Sequence, residues 1–203
     1  HSPISLLLAI SLATPSFVVA LGRDAAAQGA AKGPTKKELD AARKAFMEGL
    51  DLEKAENWAE ARKRFEEVAK VRMTPEVRFH IALCEEHEGL LLEAVRDFGV
   101  AESDAKAEGK TAVMTEAPEH ANAIKPRIPK IKFKTDGNGP ENMSVTLDGN
   151  PIDPKGSDEQ SVNPGNHKVE ASAEGYEPYS LDFTLAEGET KTVALKLKSL
   201  KKD

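Results

Sequence analysis

Apolar residues recur at spacings of three and four in the first half of the chain, which is the period of an amphipathic α-helix. Thr35 and Glu38 have the spacing of a capping box, so we expect a first helix to begin near Lys36. A second helix is predicted over residues 59–71, and Pro75 prevents it from continuing much further. The first half of the chain is therefore predicted to be helical.

The period of the apolar residues changes to two after Pro126 and Pro129. Two prolines so close together exclude further helix and mark a domain boundary. Beyond them, apolar and polar residues alternate in short segments that end at glycine-containing turns, such as Asp148-Gly149. This pattern predicts about seven strands over residues 131–199, as in a small antiparallel β-sandwich.

The helical half contains an internal repeat with a period of 33 residues. Five pairs of residues share this offset: Gly49 and Ala82, Trp58 and Leu91, Ala61 and Ala94, Phe65 and Phe98, and Val68 and Ala101. Small residues let helices approach closely, and a Phe fills the space between successive hairpins. This pattern resembles the tetratricopeptide-repeat (TPR) family over residues 42–108. A capping helix over residues 105–124, divided by Gly109 and Pro118, would cover the end of the array.

The TPR resemblance implies a concave groove, lined by the first helix of each hairpin, that binds a peptide or a partner helix. The groove residues carried over onto this sequence are Arg43, Phe46, Leu50, Lys54, Phe79, Leu83 and His87. An alternative of equal weight is that Phe46, Leu50, Phe79 and Leu83 belong to the core.

The strand half has three turn-and-strand features that occur together: residues 145–149, the segment from Pro164 to Val169, and Gly175-Tyr176 ahead of a second glycine turn. Their layout resembles the PEGA domain, a bacterial surface-associated β-module. The resemblance implies an association with the cell envelope and no enzymatic activity. The glycines are explained by the positive φ angles that tight turns need.

An uncharged apolar run extends from Ile4 to Leu21 and precedes a small-residue segment, Ala25-Ala26-Ala27. Its length, and Pro15 within it, fit the apolar part of a secretory signal peptide better than a membrane span. We therefore expect the protein to be exported, with Val18-Val19-Ala20 as a second candidate cleavage site.

Composition narrows the classes of function. The net charge of −6 disfavours a general nucleic-acid binder, which needs a concentrated basic face. Aromatic residues make up 5% of the chain, too few for a stacking platform or an aromatic sugar cleft. A single cysteine excludes an intramolecular disulfide framework.

One helical segment carries the only metal-like combination of residues. His80, Cys84 and His87 share a helix face, so they are a weak candidate for a metal site, although ordinary packing explains the same spacing. We expect no catalytic residues and no cofactor, because Cys84 lies mid-helix without the surroundings that activate a thiolate. The glutamate pairs are predicted to lie on solvent-exposed helix faces; they are Glu66, Glu67, Glu85 and Glu86.

The predicted fold class is α+β in two modules: an antiparallel, TPR-like α-hairpin array followed by a small all-β antiparallel sandwich. The predicted segments are a signal peptide (1–27), a linker (28–35), the helical domain with its capping helix (36–125), a linker (126–130), the PEGA-like sandwich (131–199) and a tail (200–203).

The predicted function is a non-enzymatic protein–protein interaction scaffold of the cell envelope, exported to the periplasm or envelope of a Gram-negative-type bacterium. The expected partner is a protein or peptide in the helical groove, with no nucleic acid, and with membrane contact only through an uncleaved leader. A rival hypothesis is glycan or peptidoglycan binding through the sandwich, where Tyr176, Tyr179 and His167 could form a patch. A second rival is metal binding through the His/Cys/His face, and a third is completion of the short array by homodimerisation.

Overall fold

The first helix begins where the capping residues predict. In the computed structural model, α1 spans Lys36–Lys54 and Thr35 is its N-cap. The Thr35 hydroxyl accepts from the Glu38 amide at 3.3 Å, and the Glu38 carboxylate accepts from the Thr35 amide at 2.7 Å. Both halves of the capping box are therefore present, and the predicted start near Lys36 is confirmed.

Three further helices complete two hairpins. They are α2 (Trp58–Val71), α3 (Pro75–His87) and α4 (Leu91–Glu108). Short turns connect α1 to α2 and α3 to α4, so the two helices of each pair pack against each other. In addition, α3 packs on α2. Gly49 shows how close the helices come, because a Cβ built at this position would lie 2.7 Å from the ring of Phe65.

The final helix, α5 (Thr111–Ile124), packs on α4 and is followed by a short 3-10 turn, Lys125–Arg127. Gly109 separates α4 from α5 with a φ of 70°, as predicted. The prediction that Pro118 divides this region is wrong, since α5 continues through it. Buried Val113, Ala117 and Ala121 give α5 a continuous packing face, which compensates for the backbone hydrogen bond that Pro118 cannot donate.

The second half forms two sheets. The strands are β1 (Lys130–Thr135), β2 (Ser144–Leu147), β3 (Asn150–Ile152), β4 (Gln160–Ser161), β5 (Gly165–Ser172), β6 (Tyr179–Leu185) and β7 (Thr190–Leu195). One sheet has the order β4-β1-β7 and the other has the order β3-β2-β5-β6. Every strand pair is antiparallel except β1 with β7, which is parallel.

The two sheets share one apolar core. Ile131 of β1 and Val193 of β7 are buried in the same cluster as Val145 of β2 and Val169 of β5. Residues of alternating polarity place one face of each sheet in this core and leave the other face exposed. The α+β fold class with a helical module and a β-sandwich-like module is confirmed.

The structure describes residues 33–135, 140, 142–153 and 159–200. The predicted signal peptide lies outside these residues, as do most of the 28–35 linker and residues 201–203 of the tail. Residues Pro34–Asp203 cluster as one compact unit, which contains both the helical half and the strand half.

Candidate functional site

An apolar groove opens beside α1, where that helix lies next to the end of α2 and the start of α3. Its volume is about 670 Å³. The apolar lining consists of Leu39, Ala42, Phe46, Met47, Val68 and Val77. Polar residues at the same groove are Arg43, Arg72, Thr74 and Glu76. We call this feature the α1–α3 groove.

The structure brings together only part of the predicted groove set. Arg43 and Phe46 line the α1–α3 groove. Leu50 is half-buried against the core of the first hairpin, and Lys54 is exposed at the end of α1.

The other predicted groove residues lie elsewhere. Phe79 is buried in the core formed by α3, α4 and α5, and Leu83 packs against that core. His87 is exposed and its ring stacks on the indole of Trp58, with ring centroids 3.7 Å apart. Sequence reasoning missed the groove residues Leu39 and Met47, which the helical period alone would place on the face next to Phe46.

An aromatic cluster fills the space between α1, α2 and α3. Phe46 packs edge-on against Phe65 with ring centroids 5.4 Å apart, and the His80 ring stacks on Phe65 at 5.0 Å. The Nδ1 atom of His80 lies 3.0 Å from the Glu53 carboxylate. Phe46 belongs both to this cluster and to the groove lining, and the Glu53 carboxylate fixes the orientation of the His80 ring.

The same cluster recurs one hairpin later. Phe79 and Phe98 are 5.4 Å apart, His120 stacks on Phe98 at 5.0 Å, and His120 Nδ1 lies 3.1 Å from Glu86. Three of the four members follow the offset of 33 residues, and the histidine does not, because His80 and His120 are 40 residues apart. The helical repeat is thus also a repeat of contacts. α5 occupies the position that the first helix of a third hairpin would have.

In the second cluster, α5 packs against α3 and α4. Val113 and Ala117 of α5 are buried together with Phe79. Beside α1, in contrast, Met47 remains 58% exposed. The α1–α3 groove therefore has accessible apolar surface.

The His/Cys/His combination does not converge on one point. His80 and Cys84 both contact Glu53, with Cys84 Sγ 3.7 Å from its Oε1, whereas His87 turns away to Trp58. Within the described residues no three His, Cys, Asp or Glu side chains are placed to share a metal ion. Burial, assisted by the Glu53 carboxylate, raises the pKa of the Cys84 thiol, which makes it a poor nucleophile.

The glutamate pair on α3 differs from its prediction as a solvent-exposed pair. Glu85 is only 6% exposed, and no hydrogen-bond partner for its Oε2 lies within the described part of the chain. Burial, and after it the nearby Asp97 carboxylate, raises the pKa of Glu85 to about 7. Glu86 is also largely covered, and Arg127 and His120 bond to its two oxygens. Glu66 and Glu67 are less covered, in line with the prediction.

The strand half contains a polar cluster at its β4–β5 connection. His167 is buried, with Nδ1 2.8 Å from Asp148 Oδ2 and Nε2 2.8 Å from the carbonyl oxygen of Asn163. Both ring nitrogens face acceptor oxygens, and these two contacts fix the orientation of the ring. Tyr179 pairs with Ala171, four residues along β5 from His167, so these residues do not form a single aromatic patch.

Residues 138–201 match the family model of the PEGA domain. The strand half contains a PEGA domain. β1 precedes the matched residues but pairs with β7, which lies within them. No curated protein matches the chain. In the described part of the chain, no helix has the length and apolar character needed to cross a membrane.

The PEGA domain contacts the helical half at two places. Asn163 accepts from the Leu92 amide at 2.9 Å and donates to the Glu93 carboxylate at 2.7 Å, at the start of α4. Arg127 forms a two-point ion pair with Glu187 of the β6–β7 turn and also bonds to Glu86 of α3. The Arg127 guanidinium lowers the pKa of Glu187. Sequence reasoning missed both contacts because their partners are far apart in the chain.

Proposed function

We propose that this chain is an exported, non-enzymatic protein–protein interaction scaffold of the bacterial cell envelope. In this proposal the helical half is a short TPR-like array that binds a segment of a partner protein. The PEGA domain supports the envelope assignment, and the α1–α3 groove carries the binding assignment.

The single observation that carries the binding role is the open apolar surface of the groove. Of the six apolar residues at the groove, Met47 is exposed and Leu39 and Phe46 are half-buried, so together they present accessible apolar surface. The other three residues are buried and form the floor; they are Ala42, Val68 and Val77. In the second hairpin Phe79 is buried together with residues of α5, whereas Phe46 is half-buried at the groove. Binding a partner over this surface is favourable, because it removes apolar surface from water.

The charges at the groove indicate what the partner segment contains. Arg43 and Arg72 are both exposed, and Arg72 has no ion pair within the described residues. Glu76 is already paired with Lys110 at 3.0 Å. The groove therefore fits a segment that inserts apolar side chains and carries a carboxylate beside them.

The experiment begins by finding the partner through the groove. A photo-crosslinking residue at Met47 captures the partner in the native cells, and the same residue at Met114 of α5 is the control. Both methionines are solvent-accessible, at 58% and 36%, but only Met47 lines the groove.

The captured partner is then purified and titrated against variants. Met47→Glu should weaken its binding at least tenfold, because it places a carboxylate in an apolar groove, and Met114→Glu should leave the affinity unchanged. Equal affinities for both variants would show that the partner binds elsewhere and would refute the groove as the site.

A further inference from the structure

The outer face of the three-stranded sheet carries a group of lysines. In β1, buried Ile131 and half-buried Phe133 alternate with exposed Lys130, Lys132 and Lys134. Since successive side chains of a strand point to opposite faces, the apolar residues lie in the core and the three lysines lie on the outer face.

The neighbouring strands leave these lysines uncovered. Lys130 lies between Ser161 of β4 and Thr190 of β7, and Lys134 lies beside Ala194 of β7. These neighbours are exposed and small, so they do not cover the lysines.

Two more lysines extend this surface beyond the end of β7. Lys196 and Lys198 are exposed and continue the alternation of Val193 and Leu195, which are buried. Neither has an ion pair among the described residues. We call the five residues Lys130, Lys132, Lys134, Lys196 and Lys198 the lysine face.

One carboxylate partly compensates this charge. Glu159 lies 3.0 Å from Lys130 Nζ and 2.8 Å from Lys132 Nζ. A single carboxylate cannot neutralise both lysines, so among the described residues the face keeps a positive excess. The chain as a whole has a net charge of −6, so this excess is a local feature of the surface.

We propose that the lysine face binds the surface of a bilayer that contains anionic lipids. The six-residue length of β1 and the width of three strands give a patch of roughly 20 by 10 Å, large enough to contact several headgroups at once. Lysine is a compact point charge that suits a diffuse negative potential. The face contains neither arginine forks nor aromatic rings, which a nucleic acid would engage.

This proposal does not rest on the groove. It gives the strand half a peripheral membrane contact of its own, separate from the apolar segment at residues 4–21. Each lysine near an anionic surface strengthens binding about fivefold, so the contact is moderate and sensitive to salt.

The test compares the full chain on two kinds of vesicle at low salt. One is made of phosphatidylcholine, and the other contains equal parts of phosphatidylcholine and phosphatidylglycerol. The measured quantity is the ratio of the two partition coefficients. Binding through residues 4–21 contributes to both vesicles, and it is the same in every variant.

The lysine-face variant carries Lys132→Gln, Lys134→Gln and Lys196→Gln, which leaves Lys130 paired with Glu159. The matched control carries Lys44→Gln, Lys63→Gln and Lys70→Gln on α1 and α2. We expect the ratio to fall about a hundredfold in the first variant and to stay near the unmodified value in the control. A second variant, Thr192→Glu with Ala194→Glu, should lower the ratio without removing any lysine.

Three results would overturn the proposal. The first is a ratio near one for the unmodified chain. The second is an equal loss in the lysine-face variant and its control. The third is tighter, lysine-face-dependent binding to duplex DNA or to a soluble anionic polysaccharide than to the anionic vesicles. Circular dichroism of each variant verifies that it is folded.

Discussion

At the scale of single residues, Glu85 is a carboxyl group in surroundings that disfavour its charged form. Its carboxyl is buried on α3 with Oε2 unbonded within the described residues, and Asp97 adds repulsion. A buried carboxyl without full hydrogen bonding prefers its neutral form. The ionised form of Glu85 thus lowers the stability of the helical half at neutral pH, although Arg96 and Arg62 offset part of the effect.

The variant Glu85→Gln should stabilise the protein in a pH-dependent manner. The pKa of Glu85 is raised from 4.5 to about 7, so its contribution to stability is fully present below pH 4.5 and is lost as the pH rises to about 7. The variant should gain little near pH 4 and on the order of 3 kcal/mol above pH 7.

Urea unfolding at a series of pH values measures this difference. Glu119→Gln, at an exposed position on α5, is the control and should give a small difference that does not vary with pH. If the gain of Glu85→Gln were the same at every pH, the carboxyl would not be the source of the effect.

At the scale of secondary-structure elements, the helices differ in how their N-termini are satisfied. Thr35 caps α1 and Thr74 caps α3, but the N-cap position of α4 is Leu90, which has no polar side chain. Asn163 of the PEGA domain supplies what Leu90 lacks, since it bonds the second amide of α4 and the Glu93 carboxylate. It therefore caps α4 with a residue from another module.

Asn163→Ala should therefore lower the free energy of unfolding by about 1 kcal/mol, the usual value of an N-cap. It should also speed hydrogen exchange at the Leu92 amide, which loses its acceptor. Amide exchange followed by NMR tests this directly, with the Val77 amide, capped by Thr74, as an internal reference. Unchanged exchange at Leu92 would mean that water replaces the cap at no cost.

Local patterns predicted most elements because the elements are local. The alternation around Ile131, Val145, Val169 and Val193 identifies strands regardless of their partners, and the parallel pairing of β1 with β7 is invisible in it. The prediction for Pro118 is wrong because it considered only the local cost of a proline in a helix. The packing of α5 on α4 outweighs this cost, and that packing is not visible in the local sequence.

The site shows the same limit. Phe46 and Phe79 are 33 residues apart and look equivalent in the sequence, yet one lines a groove and the other is buried. The difference arises because α3, which carries Phe79, packs on α2, α4 and α5, whereas α1, which carries Phe46, packs mainly on α2. Whether a repeated position is exposed depends on what packs next to it, and the repeat itself does not contain that information.

At the scale of the whole molecule, ion pairs and hydrogen bonds join the two modules in addition to the covalent chain. Arg127 bonds to Glu86 of α3 on one side and to Glu187 of the β6–β7 turn on the other. The backbone reinforces this contact, because the Gly188 amide donates to the Arg127 carbonyl. Together with Asn163, these bonds couple the folding of the two halves.

Arg127→Gln should weaken that coupling. It leaves the largely covered Glu86 with only His120 as its partner, and hydrogen bonds to charged groups of this kind are worth roughly 2 kcal/mol. The chain has one Trp and two Tyr, so Trp58 fluorescence reports on the helical half, and near-ultraviolet circular dichroism of Tyr176 and Tyr179 reports on the PEGA domain.

In the unmodified protein the two signals should change together as urea is added, because coupled modules unfold as one unit. In Arg127→Gln both modules remain folded in water, but the midpoints of the two transitions should separate. Lys125→Gln, in the same 3-10 turn but bonded only to Asn122, is the control and should keep the transitions together. Coincident transitions in Arg127→Gln, at an unchanged midpoint, would show that the backbone contact and Asn163 couple the modules without Arg127.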